Sequence, residues 1–313
     1  MSILLNLFLI VLGVAVVLWG ADRMTDGAVA LAERMKMSQM LIGLTIVALG
    51  TSMPEFFVSL MSALKGTTDM AVGNVVGSNI YNSLFIVGCA AVVTPMGILK
   101  TTVRKDIPFA LLASVVLLAM CLDGTISRTD AALLTLLLAV FFYISIRGSR
   151  QEAAPQPSPH APMPVWRSLL SVLCGLAGLV VGSDVFVDNA SALAVQLGMS
   201  EAVIGLTIVA GGTSLPELAT SIVAARKGNS DIAIGNVLGS NVLNILFILG
   251  ITGLVSPMAI HGITWVDLSM LVLSMLLLWL FSFTRYRIER WEGLVLVALF
   301  VGYMSWLIAG VVG

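Results

Sequence analysis

Residues 43–88, GLTIVALGTSMPEFFVSLMSALKGTTDMAVGNVVGSNIYNSLFIVG, align without a gap to residues 205–250, GLTIVAGGTSLPELATSIVAARKGNSDIAIGNVLGSNVLNILFILG, with 28 of 46 positions identical at an offset of 162. A duplication of this length means that one structural unit is used twice. The same offset pairs Gly20, Asp22 and Asp26 with Gly182, Asp184 and Asp188, so the unit starts before the aligned block. Both copies lie in apolar sequence: the 313-residue chain is 58% hydrophobic and 11% charged, which excludes an ordinary soluble domain.

At about 20 apolar residues per crossing, spans are expected near 3–21, 40–64, 70–94, 107–122, 130–146, 168–187, 202–225, 231–255, 266–283 and 292–311. With the N-terminus outside, this count puts fourteen of the sixteen Lys and Arg residues on one side and only Lys65 and Arg128 on the other, a strong positive-inside bias. Five spans separate equivalent points of the two copies, and five is odd, so the second copy runs through the membrane in the opposite sense. The predicted fold is an all-α polytopic membrane protein of ten transmembrane helices arranged as two inverted-topology repeats of five. The repeats are 1–146 and 168–313. Between them, 147–167 holds five of the ten prolines and reads as a cytoplasmic linker. The N-terminus has no basic lead-in and reads as a retained first span, both termini outside, in the inner (plasma) membrane of a bacterium. Inverted repeats are typical of secondary transporters, whose sites lie at the repeat interface near the midplane.

The motifs GTSMPE (50–55) and GTSLPE (212–217) put a proline and a glutamate in the middle of such spans. Pro54 has no N–H and crowds the carbonyl of Gly50, and Pro216 does the same to Gly212, so each helix opens there. In hydrocarbon an opened backbone is tolerated only where protein or a wet cavity satisfies it. A charged side chain at the bilayer centre costs roughly 2.5–3.5 kcal/mol on insertion scales, and here that cost is kept twice. Thr51 with Glu55, and Thr213 with Glu217, stand at i and i+4 and share a face. The segments GNVVGSNIYN (73–82) and GNVLGSNVLN (235–244) add Ser78 with Asn82 and Ser240 with Asn244 at the same spacing. Carboxylates, hydroxyls and amides without a nearby Lys, Arg or His suit a hard cation such as Ca²⁺ or Na⁺.

GTSxPE followed by GNVxGSNxxN, in both halves, resembles the two alpha-repeats of the calcium/cation antiporter superfamily, the sodium/calcium exchangers and their bacterial relatives. The resemblance implies an antiporter that exchanges Ca²⁺ for Na⁺ by alternating access. In it the second, third, seventh and eighth spans form the ion-binding core, and the first and sixth form a sliding pair. It implies Glu55 and Glu217 as the principal Ca²⁺ ligands, with the backbone carbonyls of Thr51 and Thr213. Ala48, Thr51, Ser52 and Ser78 would form one Na⁺ site, and Ala210, Thr213, Ser214 and Ser240 its mirror, with Asn82 and Asn244 central. Some members carry an acid where this chain has Asn244, which lowers the fixed charge here from −3 to −2.

Two ionised glutamates are neutralised by one Ca²⁺ or by two monovalent ions, and an empty site leaves both charges uncompensated. Exchange follows if only occupied states cross. A Ca²⁺/H⁺ antiporter of the same fold and a cation channel are the alternatives. An intramembrane hydrolase using Ser52 or Ser214 lacks a buried His or Lys base, so no enzyme is expected. The expected partners are the lipid bilayer and the transported ions, with no resident cofactor and no nucleic acid. Cys89, Cys121 and Cys174 read as small packing residues. Asp69 and Asp231 read as N-terminal helix caps, and Asp22, Asp26, Asp184 and Asp188 fall at expected span ends, where solvation and a gating role compete.

Overall fold

A computed structural model of the chain describes residues 3–152, 163–198, 208 and 210–312. The longest helices are α1 (Ile3–Met35) and α7 (Val165–Gln196), of 33 and 32 residues. At 1.5 Å per residue each is about 50 Å long, well beyond a hydrocarbon core of about 30 Å. Both helices therefore run past the apolar stretches 3–21 and 168–187 expected to cross the membrane. The helices continue past their acidic residues because the adjoining segments, GAVALAERM and SALAVQ, are rich in good helix formers. Asp22, Asp26, Asp184 and Asp188 consequently sit inside helices, away from the ends.

The pair α1 and α7 runs antiparallel with the backbones in contact. A Cβ at Gly13 would fall 2.9 Å from the carbonyl oxygen of Gly182, one at Gly20 would fall 2.7 Å from that of Gly175, and one at Gly27 would fall 2.7 Å from that of Ser168. Glycine at seven-residue spacing on α1 lets the backbones approach at three levels, the close approach that small residues allow in membrane helices.

Next along the chain, α2 (Gln39–Thr51) and α3 (Met53–Leu64) meet at a 49° bend with Ser52 between them. α4 (Thr68–Val93), α5 (Lys100–Asp123) and α6 (Arg128–Glu152) complete the first half. In the second half α8 (Ala210–Thr213) and α9 (Leu215–Arg226) flank Ser214, followed by α10 (Ser230–Val255), α11 (Trp265–Ser282) and α12 (Arg290–Val312). Among the described residues eight helices are long and apolar enough to cross a membrane, and the bent pair α2–α3 makes a ninth candidate. The expected span 202–225 lies partly outside the described residues. So does the middle of the expected linker; α6 extends to Glu152 and α7 begins at Val165.

α10 is almost wholly enclosed and α4 nearly so, whereas α1, α6 and α12 turn Leu4, Phe8, Leu136, Leu294 and similar side chains outward, as lipid-facing helices do. Two short antiparallel ladders depart from the all-α expectation. β1 (Met96–Gly97) pairs with β4 (Arg287–Ile288), and β2 (Thr125–Ile126) pairs with β3 (Met258–Ala259). Two residues carry no readable periodicity, and each ladder joins loops far apart in sequence. Adding 162 to β1 reaches β3 and to β2 reaches β4, so the two ladders are equivalent with their halves exchanged. Asp69 is not the N-cap of α4, a position held by Thr67; its carboxylate accepts the backbone N–H groups of His261 and Gly262 at 2.7 and 2.9 Å, tying the start of α4 to a loop of the second half. Likewise the N-cap position of α10 is Asn229 and not Asp231, and the Asn229 side chain makes no capping hydrogen bond there.

Candidate functional site

The break in each copy falls at the serine before the motif's proline. Ser52 has φ −84° and ψ 5°, and Ser214 has φ −92° and ψ 9°, the sparsely used region between helix and strand. Pro54 and Pro216 then occupy the first turn of the new helix, where a missing N–H costs nothing. This puts Glu55 and Glu217 in the first turns of α3 and α9, at the positive end of the helix dipole. Both glutamates are fully buried.

The two halves hold each other's carboxylate. Ser52 Oγ lies 3.0 Å from Glu217 Oε1 and 2.9 Å from Ser240 Oγ, and Ser240 Oγ is 3.4 Å from the same carboxylate oxygen. Ser214 Oγ lies 2.9 Å from Glu55 Oε1 and 3.3 Å from Ser78 Oγ. Each hydroxyl has one proton, so Ser214 donates to Glu55 and accepts from Ser78. The second oxygens, Glu55 Oε2 and Glu217 Oε2, are buried and meet no hydrogen-bond donor among the described residues. Ser78 and Ser240 thus meet the break serine of the opposite half, and Ser240 also reaches the glutamate of its own.

Two asparagines that sequence reasoning passed over fix the backbone beneath the carboxylates. Asn74 Nδ2 donates to the carbonyl of Glu55 at 3.2 Å and to Ser59 Oγ at 2.9 Å. Asn236 Nδ2 donates to the carbonyl of Glu217 at 3.3 Å and to Ser221 Oγ at 3.0 Å, while its Oδ1 accepts from Thr51 Oγ1 at 3.1 Å. Asn236 therefore ties the break in one half to the glutamate of the other. The available signal was the identity of Asn74 with Asn236 and of Ser59 with Ser221 across the repeat.

Thr51 is buried and Thr213 half-buried beside the breaks. Ala48 is buried against Gly239, whose Cβ position lies 2.6 Å from the Ala48 methyl. Ala210 opens α8, and its side chain lies outside the described residues. Asn82 and Asn244 are buried but form a separate tier. Asn244 Nδ2 donates to Asn79 Oδ1 at 3.3 Å, Asn241 Nδ2 to Ser83 Oγ at 2.8 Å, and the side-chain carbonyls of Asn82 and Asn244 have no hydrogen-bond partner among the described residues. The i, i+4 spacing that would stack Asn82 on Ser78 gives way to wider π-helical turns over Tyr81–Ile86 and Asn244–Leu249, a feature frequent at functional sites.

The donor set is two carboxylates with neutral oxygens around them. Among the described residues no three of His, Cys, Asp and Glu cluster as a transition-metal site would require. Buried anionic oxygens without donors call for a cation or a proton.

A family model described as sodium/calcium exchanger protein matches residues 5–147 and 167–309. The chain belongs to this family. The inner membrane protein YrbG of Escherichia coli (strain K12) is 35% identical to this exchanger-family chain over 317 residues, which cover 97% of the chain and 96% of YrbG. The sodium/calcium exchanger MaX1 of Methanosarcina acetivorans is 31% identical over 344 residues, 96% of the chain and 98% of MaX1. The solved sodium-calcium exchanger NCX_Mj, soaked with Na⁺ and Sr²⁺, superposes with a TM-score of 0.85 at 30% identity, covering 97% of the chain and 99% of NCX_Mj. As a family member the chain is an integral membrane transporter and not an enzyme, which removes Ser52 and Ser214 as nucleophiles.

Proposed function

We propose that the chain is a secondary antiporter that exchanges Ca²⁺ for Na⁺ by alternating access, with Glu55 and Glu217 as the shared ligands. The observation that carries this reading is the reciprocal clasp: each carboxylate is held on one oxygen by a serine of the opposite half, with its other oxygen buried and without a donor among the described residues. Two such oxygens offer the charge of one divalent or two monovalent cations. Because Ser52 lies against Ser240 and Ser214 against Ser78, the two serines of the third and eighth spans exchange places relative to the sequence expectation: Ala48, Thr51 and Ser52 with Ser240 on one side, and Ala210, Thr213 and Ser214 with Ser78 on the other, supply the neutral oxygens of two Na⁺ sites. The backbone carbonyls of Thr51 and Thr213 complete the Ca²⁺ shell, and Asn82 and Asn244 extend the site toward the centre. MaX1 and NCX_Mj, both named as sodium/calcium exchangers, support the choice of ions.

The same reading takes ten spans in two inverted repeats, with both termini outside and the linker inside the cell. The distribution of Lys and Arg, the exchanged ladders and the two family matches on either side of 148–166 support it, and the inner-membrane naming of YrbG supports a bacterial inner membrane. Na⁺-gradient-driven uptake of radiolabelled Ca²⁺ into proteoliposomes is the test, beside a H⁺ gradient without Na⁺. Wild type takes up Ca²⁺ with the Na⁺ gradient, and Glu55→Gln and Glu217→Gln each abolish uptake while the protein still elutes as a folded species. Near-normal flux in either variant contradicts the site; uptake driven by H⁺ alone contradicts the coupling ion.

A further inference from the structure

The carboxylate clasp is nearly symmetric under the 162-residue offset, but the far ends of the broken helices are not. Lys227 closes α9 as its C-cap with φ −79° and ψ 0°, followed by Gly228 at φ +81°. Lys65 closes α3 in the same way, with φ −83° and ψ −2°, followed by Gly66 at φ +79°. The two lysines leave their helices alike, yet only one is engaged. Lys227 Nζ lies 2.6 Å from Asp22 Oδ1 and 2.7 Å from Asp26 Oδ1, two carboxylates one turn apart on α1. At the same offset, α7 carries Asp184 and Asp188, both exposed. Among the described residues neither they nor Lys65 belongs to an ion pair. The helices follow the charges: α1 packs along α9, and among the described residues no comparable contact joins α7 to α3.

We propose that Lys227 and Lys65 are alternate latches, Lys227 clamping α1 to α9 in the state seen and Lys65 clamping α7 to α3 through Asp184 and Asp188 in the state open to the other side. The proposal rests on alternating access, the mechanism proposed for the glutamate site. The glycine seam makes the two latches exclusive. Because α1 and α7 touch backbone to backbone at Gly20 and Gly175, they move as one body, and drawing α7 onto α3 withdraws α1 from α9. The Lys227 clasp is partly open to solvent, with 29% of the lysine side chain and 40% and 44% of the aspartates accessible. Exposed ion pairs of this kind are weak, so the clasp holds a state without trapping it.

The test uses the full chain in proteoliposomes with Cys89, Cys121 and Cys174 replaced by alanine. Lys227→Cys with Asp22→Cys forms one pair, and Lys65→Cys with Asp184→Cys the other, each treated with a short reducible bifunctional thiol reagent. Both pairs cross-link in the same ionic conditions, each cross-link stops flux, and reduction restores it. A Lys65/Asp184 pair that never cross-links in Na⁺, in Ca²⁺ or without either, while Lys227/Asp22 does, overturns the proposal, as does cross-linking without loss of flux. Lys227→Gln combined with the Lys65/Asp184 pair is the second measurement: it raises that pair's cross-link yield about threefold, and an unchanged yield also overturns the latch. Cross-link yields do not depend on which ion drives transport. Absence of Na⁺-driven Ca²⁺ flux in the cysteine-free parent therefore counts against the exchange reading and leaves the latch to be decided by the yields.

Discussion

A buried carboxylate must be compensated by donors or by a counter-ion, and at Glu217 the nearer donor, Ser52, comes from the other half of the chain and the farther, Ser240, from its own. Ser52 reaches across the break to Oε1, and Asn236 holds the glutamate's own carbonyl while accepting from Thr51. Asn236 serves three groups at once, so Asn236→Ala leaves Thr51 Oγ1, Ser221 Oγ and the Glu217 carbonyl each short of a hydrogen bond in a buried setting. Each orphaned group costs about 1–3 kcal/mol. The expected outcome is a loss of heat stability in detergent and Ca²⁺ uptake reduced by at least about tenfold. Asn74→Ala, which frees only Ser59 and the Glu55 carbonyl at a half-buried position, has the smaller effect on both measurements. Equal effects would count against Asn236 as the cross-tie. At this scale the doubled motif made Glu55, Glu217, Ser52 and Ser214 legible in the sequence, because each breaks the rules of an apolar span. Asn74 and Asn236 escaped notice, since a polar residue three positions from a packing glycine looks like any other until its acceptor is known.

Among the elements, the α1–α7 seam carries the clearest steric demand. A side chain at Gly20 meets the Gly175 carbonyl oxygen and the Leu179 amide nitrogen, both at 2.7 Å, and backbone atoms cannot swing aside. Overpacking of this kind costs about 1–3 kcal/mol or more, so Gly20→Val lowers heat stability and slows Ca²⁺ flux by more than about tenfold. Gly302→Ala, on α12 with nothing within 4 Å, leaves both unchanged. A wild-type flux in Gly20→Val would show that the pair need not stay in contact. Helix type and approximate position were readable from apolar run length alone. The full length of α1 and α7 was hidden, because hydropathy marks where an apolar run ends and not where a helix does, and alanine-rich polar turns continue a helix as readily as leucine.

For the whole molecule, two halves meet through paired contacts related by one offset: Ser52 with Glu217 and Ser214 with Glu55, β1 with β4 and β2 with β3. A cation held between the halves therefore stabilises their union. At a Ca²⁺ concentration about a hundredfold above its Kd the added stability is ~2.7 kcal/mol. Thermal unfolding in detergent, with Ca²⁺ and with a chelator, reads this shift, and Glu55→Gln loses it; a shift retained in that variant would place the bound ion elsewhere. The sequence by itself determined that the chain spans a membrane repeatedly, that one unit is used twice, and that each copy breaks its helix beside a glutamate. Those properties follow from hydropathy, identity at a fixed offset and the missing N–H of proline, all of which are local to the chain. Only the tertiary structure decided which serine faces which glutamate, that Asn236 and not Asn244 braces the backbone of Glu217, and that Lys227 is paired while Lys65 joins no ion pair among the described residues. Those depend on how helices far apart in sequence are set against each other, and two identical motifs cannot record which of their equivalent contacts is closed.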